Sequence, residues 1–438
     1  MIDEYEMRRI YRCFPGLNID RVVVSLPKRF NKPTDEFFQV VGRAEVILRM
    51  KISALSVILA AALAGLSTAQ IGPLIPITAS GAAAVKFTKT NNYDFQHPGI
   101  LHSHDDLERM REKVVSNTEP WKSYFTIFSN LTSASYNYVM TTPRQNVSRN
   151  SITQGTTNSG FERDATAAYH NALMWYITRD ERHANKSAEI LNLWGTTLKI
   201  YDGLDANLGV AEGGMRMVNA AEILRHEYGW VETGMKWQGT SGFSGMVYRA
   251  LAPAVTAPGQ ANYGMASILA LLGIAVYLED VVMYNYALNE YQNGVCGGLV
   301  GTVNPSTGQN SESGRDQGHA WGGIGNLAIA SQTVLNQGSD LYGLQDDLML
   351  KGTEYLAKFN LNGTVPYDPK YARCESILVG GPWPENARIN QRVEAWVLTM
   401  VYNHFIKLKR RTARWTEKAF NSVSVSADTA VYYLAFTR

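Results

Sequence analysis

Cysteine is scarce in this chain, with three in 438 residues at Cys13, Cys296 and Cys374. A framework of several disulfides is therefore excluded; one Cys296–Cys374 bridge and two buried thiols stand as equal readings. A net charge of one sign is also lacking, since 41 Lys+Arg face 39 Asp+Glu. A globally basic nucleic-acid binder is excluded by that balance. No GxSxG nucleophile elbow, P-loop or HExxH helix occurs, so the common serine-hydrolase, nucleotide and metalloprotease signatures are missing. What is present is a chain 45% hydrophobic and 11% aromatic, rich enough to bury a large core and far from a disordered or fibrous composition.

The charges are unevenly placed. Residues 1–49 carry nine bases and seven acids, and the stretch 407–438 carries seven bases and two acids. Residues 70–406 hold 24 bases and 30 acids, so the body of the chain is acidic. Met50-Lys51 opens an apolar run over 52–65, and Ser67-Thr68-Ala69 follows with small residues. This order is that of a secretory signal peptide, and the run is short for a membrane span. The expected organisation is an upstream extension (1–49), a cleaved signal peptide (50–69), a Gly/Pro/Ala-rich linker (70–86), one domain (87–407) and an atypical tail (408–438). Sequons at Asn130, Asn146, Asn185 and Asn362 agree with secretion. No stable membrane insertion is expected after cleavage.

Helical periodicity dominates the body. Ser103 and Asp106 have capping-box spacing ahead of Leu107, Met110 and Val114. Further helices are predicted over 164–177, 183–200, 215–228, 262–278, 281–291, 317–335, 345–359 and 391–406. Long polar loops join them, and no run of alternating strands precedes the tail. Helical hairpins in two layers, closing into an all-α (α/α)n toroid, are the natural architecture. The tail reads differently: SVSVSADTAVYYLAF has strand-like composition.

Two motifs invite over-reading. Gly323-Ile324-Gly325-Asn326-Leu327-Ala328 fits GxGxxA, but no strand precedes it, so helix packing is the better account. His102 and His104 form an HxH pair that a capped loop explains as well as a metal does. Neither a metal nor a cofactor is expected. The chemistry-bearing stretch is QNSESGRDQGH, residues 309–319, whose polar side chains are costly to bury unpaired and either face solvent or converge on a site. Arg315 and His319, four apart, share a helical face.

Three phrases resemble the secreted alginate-lyase-type polysaccharide lyases, in the branch with glucuronan and alginate lyases: NYGMASILALLGIAVYLEDVVMYNYAL, GQNSESGRDQGHAWGGIGNLA and NQGSDLYGLQDDLMLKGTEYLAKFNLNGTVPY. Upstream, HPGILHSHDDLERMR, AAYHNALMWYITRDERHANKSAEILNLW and VNAAEILRHEYGW are similar too, as is VYNHF downstream. The resemblance spans about residues 88–406 and implies an α/α toroid that cleaves uronic-acid polymers by β-elimination without a cofactor. It assigns Asn262 to neutralising the C5 carboxylate and His319 to the base or a second neutraliser. Tyr355 and Tyr263 become candidate acids, and Arg315 the binder of the uronate carboxylate. Gln317, Glu312, His170 and His404 are further candidate substrate contacts. For Asn262 the competing role is a helix N-cap; for the tyrosines and for His170 and His404 it is a place in the core. Members often carry Trp at Tyr263, an acidic residue at Gly264 and Tyr at Phe359, which leaves substrate choice open.

Two other functions fit the composition. A toroidal glycoside hydrolase would draw paired carboxylates from Asp164, Glu212, Glu312 and Asp316. A non-catalytic carbohydrate-binding protein would keep only the aromatic cleft. For the lyase, positive potential is expected to be confined to a cleft around Arg315 and His319.

Overall fold

The computed structural model describes residues 84–233, 241–371 and 383–438. The extension, the signal-like segment and nearly all of the linker lie outside the described residues. So does Cys374; Cys296 is disulfide-bonded, with its partner outside them too.

Thirteen helices of five residues or more are counted among the described residues: α1 (His104–Val115), α2 (Trp121–Ser129), α3 (Ser159–Thr178), α4 (Glu181–Thr197), α5 (Met215–Ile223), α6 (Gly242–Met246), α7 (Ala261–Leu278), α8 (Val281–Asn293), α9 (Gln317–Asn336), α10 (Leu344–Asn360), α11 (Ala395–Tyr402), α12 (Arg414–Phe420) and α13 (Ala430–Phe436). A wider π-turn extends α5 through Leu224–Tyr228, and another extends α11 through Asn403–Leu408. The odd-numbered helices form a circuit in which α1 packs on α3, α3 on α5, α5 on α7, α7 on α9, α9 on α11, α11 on α13 and α13 on α1. Even-numbered helices cover it, α4 on α3, α8 on α7, α10 on α9, α12 on α10 and α2 on α13. This is the expected two-layer α/α toroid.

Local signals set where several elements begin. Ser103 caps α1 in a complete capping box with Asp106, which satisfies two of the otherwise orphaned N–H groups. Asp180, Asp280 and Asp316 cap α4, α8 and α9 through their carboxylates. The inner helix α7 is apolar nearly all round and long enough to cross a membrane, yet it is 83% buried within the protein, as a core helix is. Only one strand pair occurs among the described residues, β1 (Asn146–Ser148) parallel to β2 (Ile200–Asp202). Gly203 follows it at φ +116°, where an added Cβ would meet the Arg149 carbonyl at 1.9 Å; no other residue fits that turn.

The tail departs from the strand-like expectation. Residues 408–438 hold two helices, and α13 buries Ala430, Val431, Tyr433, Leu434, Ala435 and Phe436 between α1, α2 and α11. Burial on several sides overrides β-propensity, which measures fit to a sheet surface more than any backbone preference. The tail is also tied down by polar contacts: Glu354 accepts from the Trp415 and Thr416 N–H groups, and Arg438 pairs with Asp106 at 2.9 Å. It belongs to the same compact unit as the body, residues 83–438.

Candidate active site

The N-terminal ends of α7 and α9 carry the candidate residues Asn262, Tyr263 and His319. Asp316 caps α9 by accepting the His319 N–H at Oδ1, 2.9 Å, while its Oδ2 lies 2.5 Å from His319 Nδ1. One carboxylate thus starts the helix and holds the imidazole. Burial opposes ionisation of Asp316, but the His319 N–H and ring outweigh it and keep the carboxyl below its ordinary range. With Nδ1–H committed to Asp316, Nε2 is left as the lone-pair nitrogen. The His319 side chain is 36% exposed, so the ring is reachable from solvent.

The same face of α9 continues through Gly322 and Asn326. A Cβ at Gly322 would meet nothing within 4 Å, so the helix backbone there is open floor. Asn326 Nδ2 donates to the Asn262 carbonyl at 3.3 Å, which joins α9 to α7. Seven residues of helix separate His319 from Asn326, about 10 Å of rise.

Asn262 is the second residue of α7, whose N-cap is Gln260 with no side-chain capping bond. The N-cap role weighed from the sequence is therefore ruled out by position. Instead, Asn262 Oδ1 is buried with no hydrogen-bond partner. A buried amide oxygen without a partner costs about 1–3 kcal/mol, a cost that a ligand hydroxyl donating to it relieves. Tyr263 beside it donates to Asp205 Oδ1 at 2.7 Å. Burial, then this bond, pushes its phenol up to about 12, against the nearby charges of Arg315 and Arg149. The phenol is thus a held donor and not a base near neutral pH. Gly264, where an acidic residue is common in similar chains, is closed: a Cβ would meet the Gly259 carbonyl at 2.5 Å and Gly297 Cα at 2.7 Å.

Arg315 pairs with buried Glu312 at 3.2 Å, and its Nε is 4.0 Å from Asp316. Most of its five N–H donors stay available. Tyr367 and Trp383 cover the adjoining Gly314, where a Cβ would meet the Tyr367 hydroxyl at 2.3 Å. Arg392 lies against Gly318 and pairs with Glu394. Across from these, Arg149 joins Glu212 at 2.9 Å and Glu162 at 3.8 Å, while Arg216 donates to Thr166 at 3.3 Å. Carboxylates accompany most of these cations, so the N–H donors here are held in ion pairs. Arg149, Arg216, Asp205, Tyr367 and Arg392 went unread in the sequence because loops and neighbouring helices, not spacing, bring them here.

Several sequence candidates lie elsewhere. Gln317 is fully buried; its amide donates to the Ala387 carbonyl at 2.9 Å and accepts from Asn360 at 2.8 Å. It braces segment 386–389 and is not a substrate contact. Tyr355 is buried, donates to the Pro366 carbonyl at 2.8 Å and accepts from Asn386 at 3.0 Å. Burial raises its phenol far above the ordinary value, so it supports the site from beneath. His170 bonds Ser133 at 2.9 Å, and His404 stacks on Tyr342 at 3.9 Å. Burial lowers these imidazoles to about 3 and about 4, the second against Asp340. Both are core histidines. Asp164 is fully buried and accepts from Tyr138, Thr141 and Trp194, while Glu312 and Asp316 serve Arg315 and His319. The paired carboxylates of a glycoside hydrolase are thus already committed.

A cavity of about 780 Å³ lies between residues 140–144 and the first turn of α3. None of Asn262, Arg315 and His319 lines it, so this cavity and the candidate residues are separate.

Comparison with known proteins agrees with this fold. An alginate lyase from Bacteroides ovatus shares the fold at a TM-score of 0.55 with 12% identity, over 78% of this chain and 99% of its own. Alginate lyase A1-III from Sphingomonas species A1 does so at a TM-score of 0.50 with 13% identity, over 76% and 95%. A variant of alginate lyase A1-III complexed with a tetrasaccharide gives 0.50 and 15%, over 81% and 98%. No curated protein matches the chain in sequence. The alginate lyase family model matches residues 102–364, more than half of the chain, and the protein belongs to that family of polysaccharide lyases.

Proposed function

We propose that the protein is a secreted lyase that cleaves a uronic-acid polymer, alginate or glucuronan, by β-elimination. The observation that carries this reading is the Asp316–His319 pair at the start of α9, next to Arg315, with the side-chain amide of Asn262 further along at the Asn326 crossing. Asn262 and Arg315 bind the C5 carboxylate, so that negative charge developing on it in the transition state meets donors already in place. His319 Nε2 takes the C5 proton while Asp316 steadies the resulting imidazolium. The electron pair forms the C4–C5 double bond and expels O4, which receives a proton from Tyr263 once that hydroxyl turns from Asp205 to the sugar oxygen. Proton transfer and charge neutralisation are both supplied by side chains. Alginate enters the proposal because the structural relatives are alginate lyases, one of them holding a tetrasaccharide; glucuronan enters through the sequence resemblance. Secretion is supported by the signal-like segment and by the disulfide at Cys296. The exposure of all four sequon asparagines also supports it.

The test is to incubate the purified protein with alginate and with glucuronan and follow ultraviolet absorbance of the 4,5-unsaturated product. A rise on either polymer is expected, lost in Asn262→Ala and His319→Ala proteins that keep the wild-type circular dichroism. New reducing ends without that absorbance would make the enzyme a hydrolase and reject the proposal.

A further inference from the structure

Away from the cleft, two imidazoles and two carboxylates meet. His97 lies in the loop ahead of α1, Glu222 on α5, His226 in the π-turn after it and Glu279 just past the end of α7. Asn262 stands at the opposite end of α7, about 25 Å away along the axis. The His97 and His226 rings stack, with centroids 4.2 Å apart and planes 7° from parallel. Glu222 touches both: Oε1 is 2.7 Å from His97 Nδ1 and Oε2 is 3.6 Å from His226 Nε2. Oε1 also accepts the Gly99 N–H at 3.1 Å, and His97 Nε2 is 3.5 Å from Glu279.

Glu222 is 1% exposed, and its Oε2, like His97 Nε2, is buried without a hydrogen-bond partner. A carboxylate at that depth is costly unless a cation meets it. Arg225, close by in sequence, is committed to Glu232, Ser244 and Tyr277. Burial of the His226 ring works against its protonated form, and Glu222 works the other way. The HxH pair of the sequence plays no part, since His102 bonds Tyr169 and His104 bonds Glu227.

We propose that His97, Glu222 and His226 bind one divalent transition-metal ion of the zinc type, with Glu279 at its rim. Two imidazoles and a carboxylate are ligands that zinc takes, and tetrahedral bonds of about 2.0–2.1 Å place neighbouring donor atoms roughly 3.3 Å apart. One Glu222 oxygen faces each ring, at 2.7 and 3.6 Å, and one donor atom from each residue falls within 4.8 Å of the others, so a small movement of the rings brings the three to that spacing. On loading, the His97 ring carries its proton on Nε2, which faces Glu279 at 3.5 Å, so that Nδ1 offers its lone pair, and the rings part from their stack. His226, with a side chain 26% exposed, has the room to swing. The ion then ties the loop before α1 to α5 and acts as a structural brace, independent of turnover.

The test uses the full chain without a histidine tag, stripped with EDTA, dialysed and titrated with ZnCl2 by calorimetry, with thermal unfolding recorded alongside. One ion per chain and a raised Tm are expected, because an ion that binds only the folded state stabilises it. Glu222→Gln and His226→Ala should each weaken binding by more than about tenfold, while His104→Ala binds as the wild type does. Glu222→Gln also removes a buried anchor for Gly99, so the part-exposed His226→Ala carries the test if that variant does not fold. No saturable binding by the wild type, or equal binding by folded His226→Ala, overturns the proposal.

Discussion

Asp316 does two jobs with one carboxylate, capping α9 and holding His319 by Nδ1, and a single substitution separates them. Asparagine caps a helix about as well as aspartate, but its neutral amide stabilises an imidazolium poorly and does not fix the same tautomer. Asp316→Asn should therefore lower kcat by roughly 10²–10⁴-fold while stability in urea changes by less than about 1 kcal/mol; an unchanged kcat would remove His319 as the base. Tyr355 gives the opposite outcome. Its hydroxyl is spent on Pro366 and Asn386, so Tyr355→Phe should cost about 1 kcal/mol of stability and leave kcat within about twofold, whereas a large kcat loss would return it to the site. At this scale the sequence disclosed which residue types gather. His319 stands in the first turn of α9, but Arg315 lies in the turn ahead of the Asp316 N-cap, so the shared helical face read from four-residue spacing does not form. Gln317 and Tyr355 look equally polar in the sequence, yet tertiary burial makes braces of them, and no local pattern records that.

At the scale of the element, α9 is an inner helix with one uncovered stripe, in which Gly322 lies between His319 and Asn326. Since a Cβ there meets nothing, Gly322→Ala should raise stability by about 0.5–1 kcal/mol through helix propensity alone. Gly322→Leu fills the floor instead, and should cut kcat/KM on polymer at least about tenfold with thermal unfolding unchanged. Polymer turnover unaffected by leucine would move the substrate path elsewhere. The helices themselves were legible wherever apolar residues recur every three or four positions. The reading 262–278 meets Ala261–Leu278, 317–335 meets Gln317–Asn336, and the Ser103–Asp106 box marks the start of α1. Where the pattern was short the reading failed: Val423 and Val425 in the tail suggested strand, but α13 takes its conformation from the groove it fills. The β1–β2 pair was also out of reach, because three-residue strands more than fifty positions apart leave no periodic trace.

Over the whole molecule, the buried histidines set how the fold meets acid. Burial holds His170 at about 3, with Arg216 adding to the effect, and holds His102 at about 4, with Asp106 opposing, against an ordinary 6.5. Each folded-state value is depressed, so below pH 6.5 the unfolded chain takes up protons that the native core refuses. Stability is therefore fully present above about pH 6.5 and falls as pH drops toward the folded values, by about 1.4 kcal/mol per pH unit for each ring kept neutral. The urea midpoint of the wild type should decline steadily from pH 6.5 to 4. His170→Gln loses aromatic packing against Phe128 and should be less stable at pH 7, yet its decline should be shallower by about 1.4 kcal/mol per pH unit. Parallel declines in the two proteins would mean that His170 accepts a proton in the native state. Its place would then be a solvated one, open again to the substrate role its sequence context suggested.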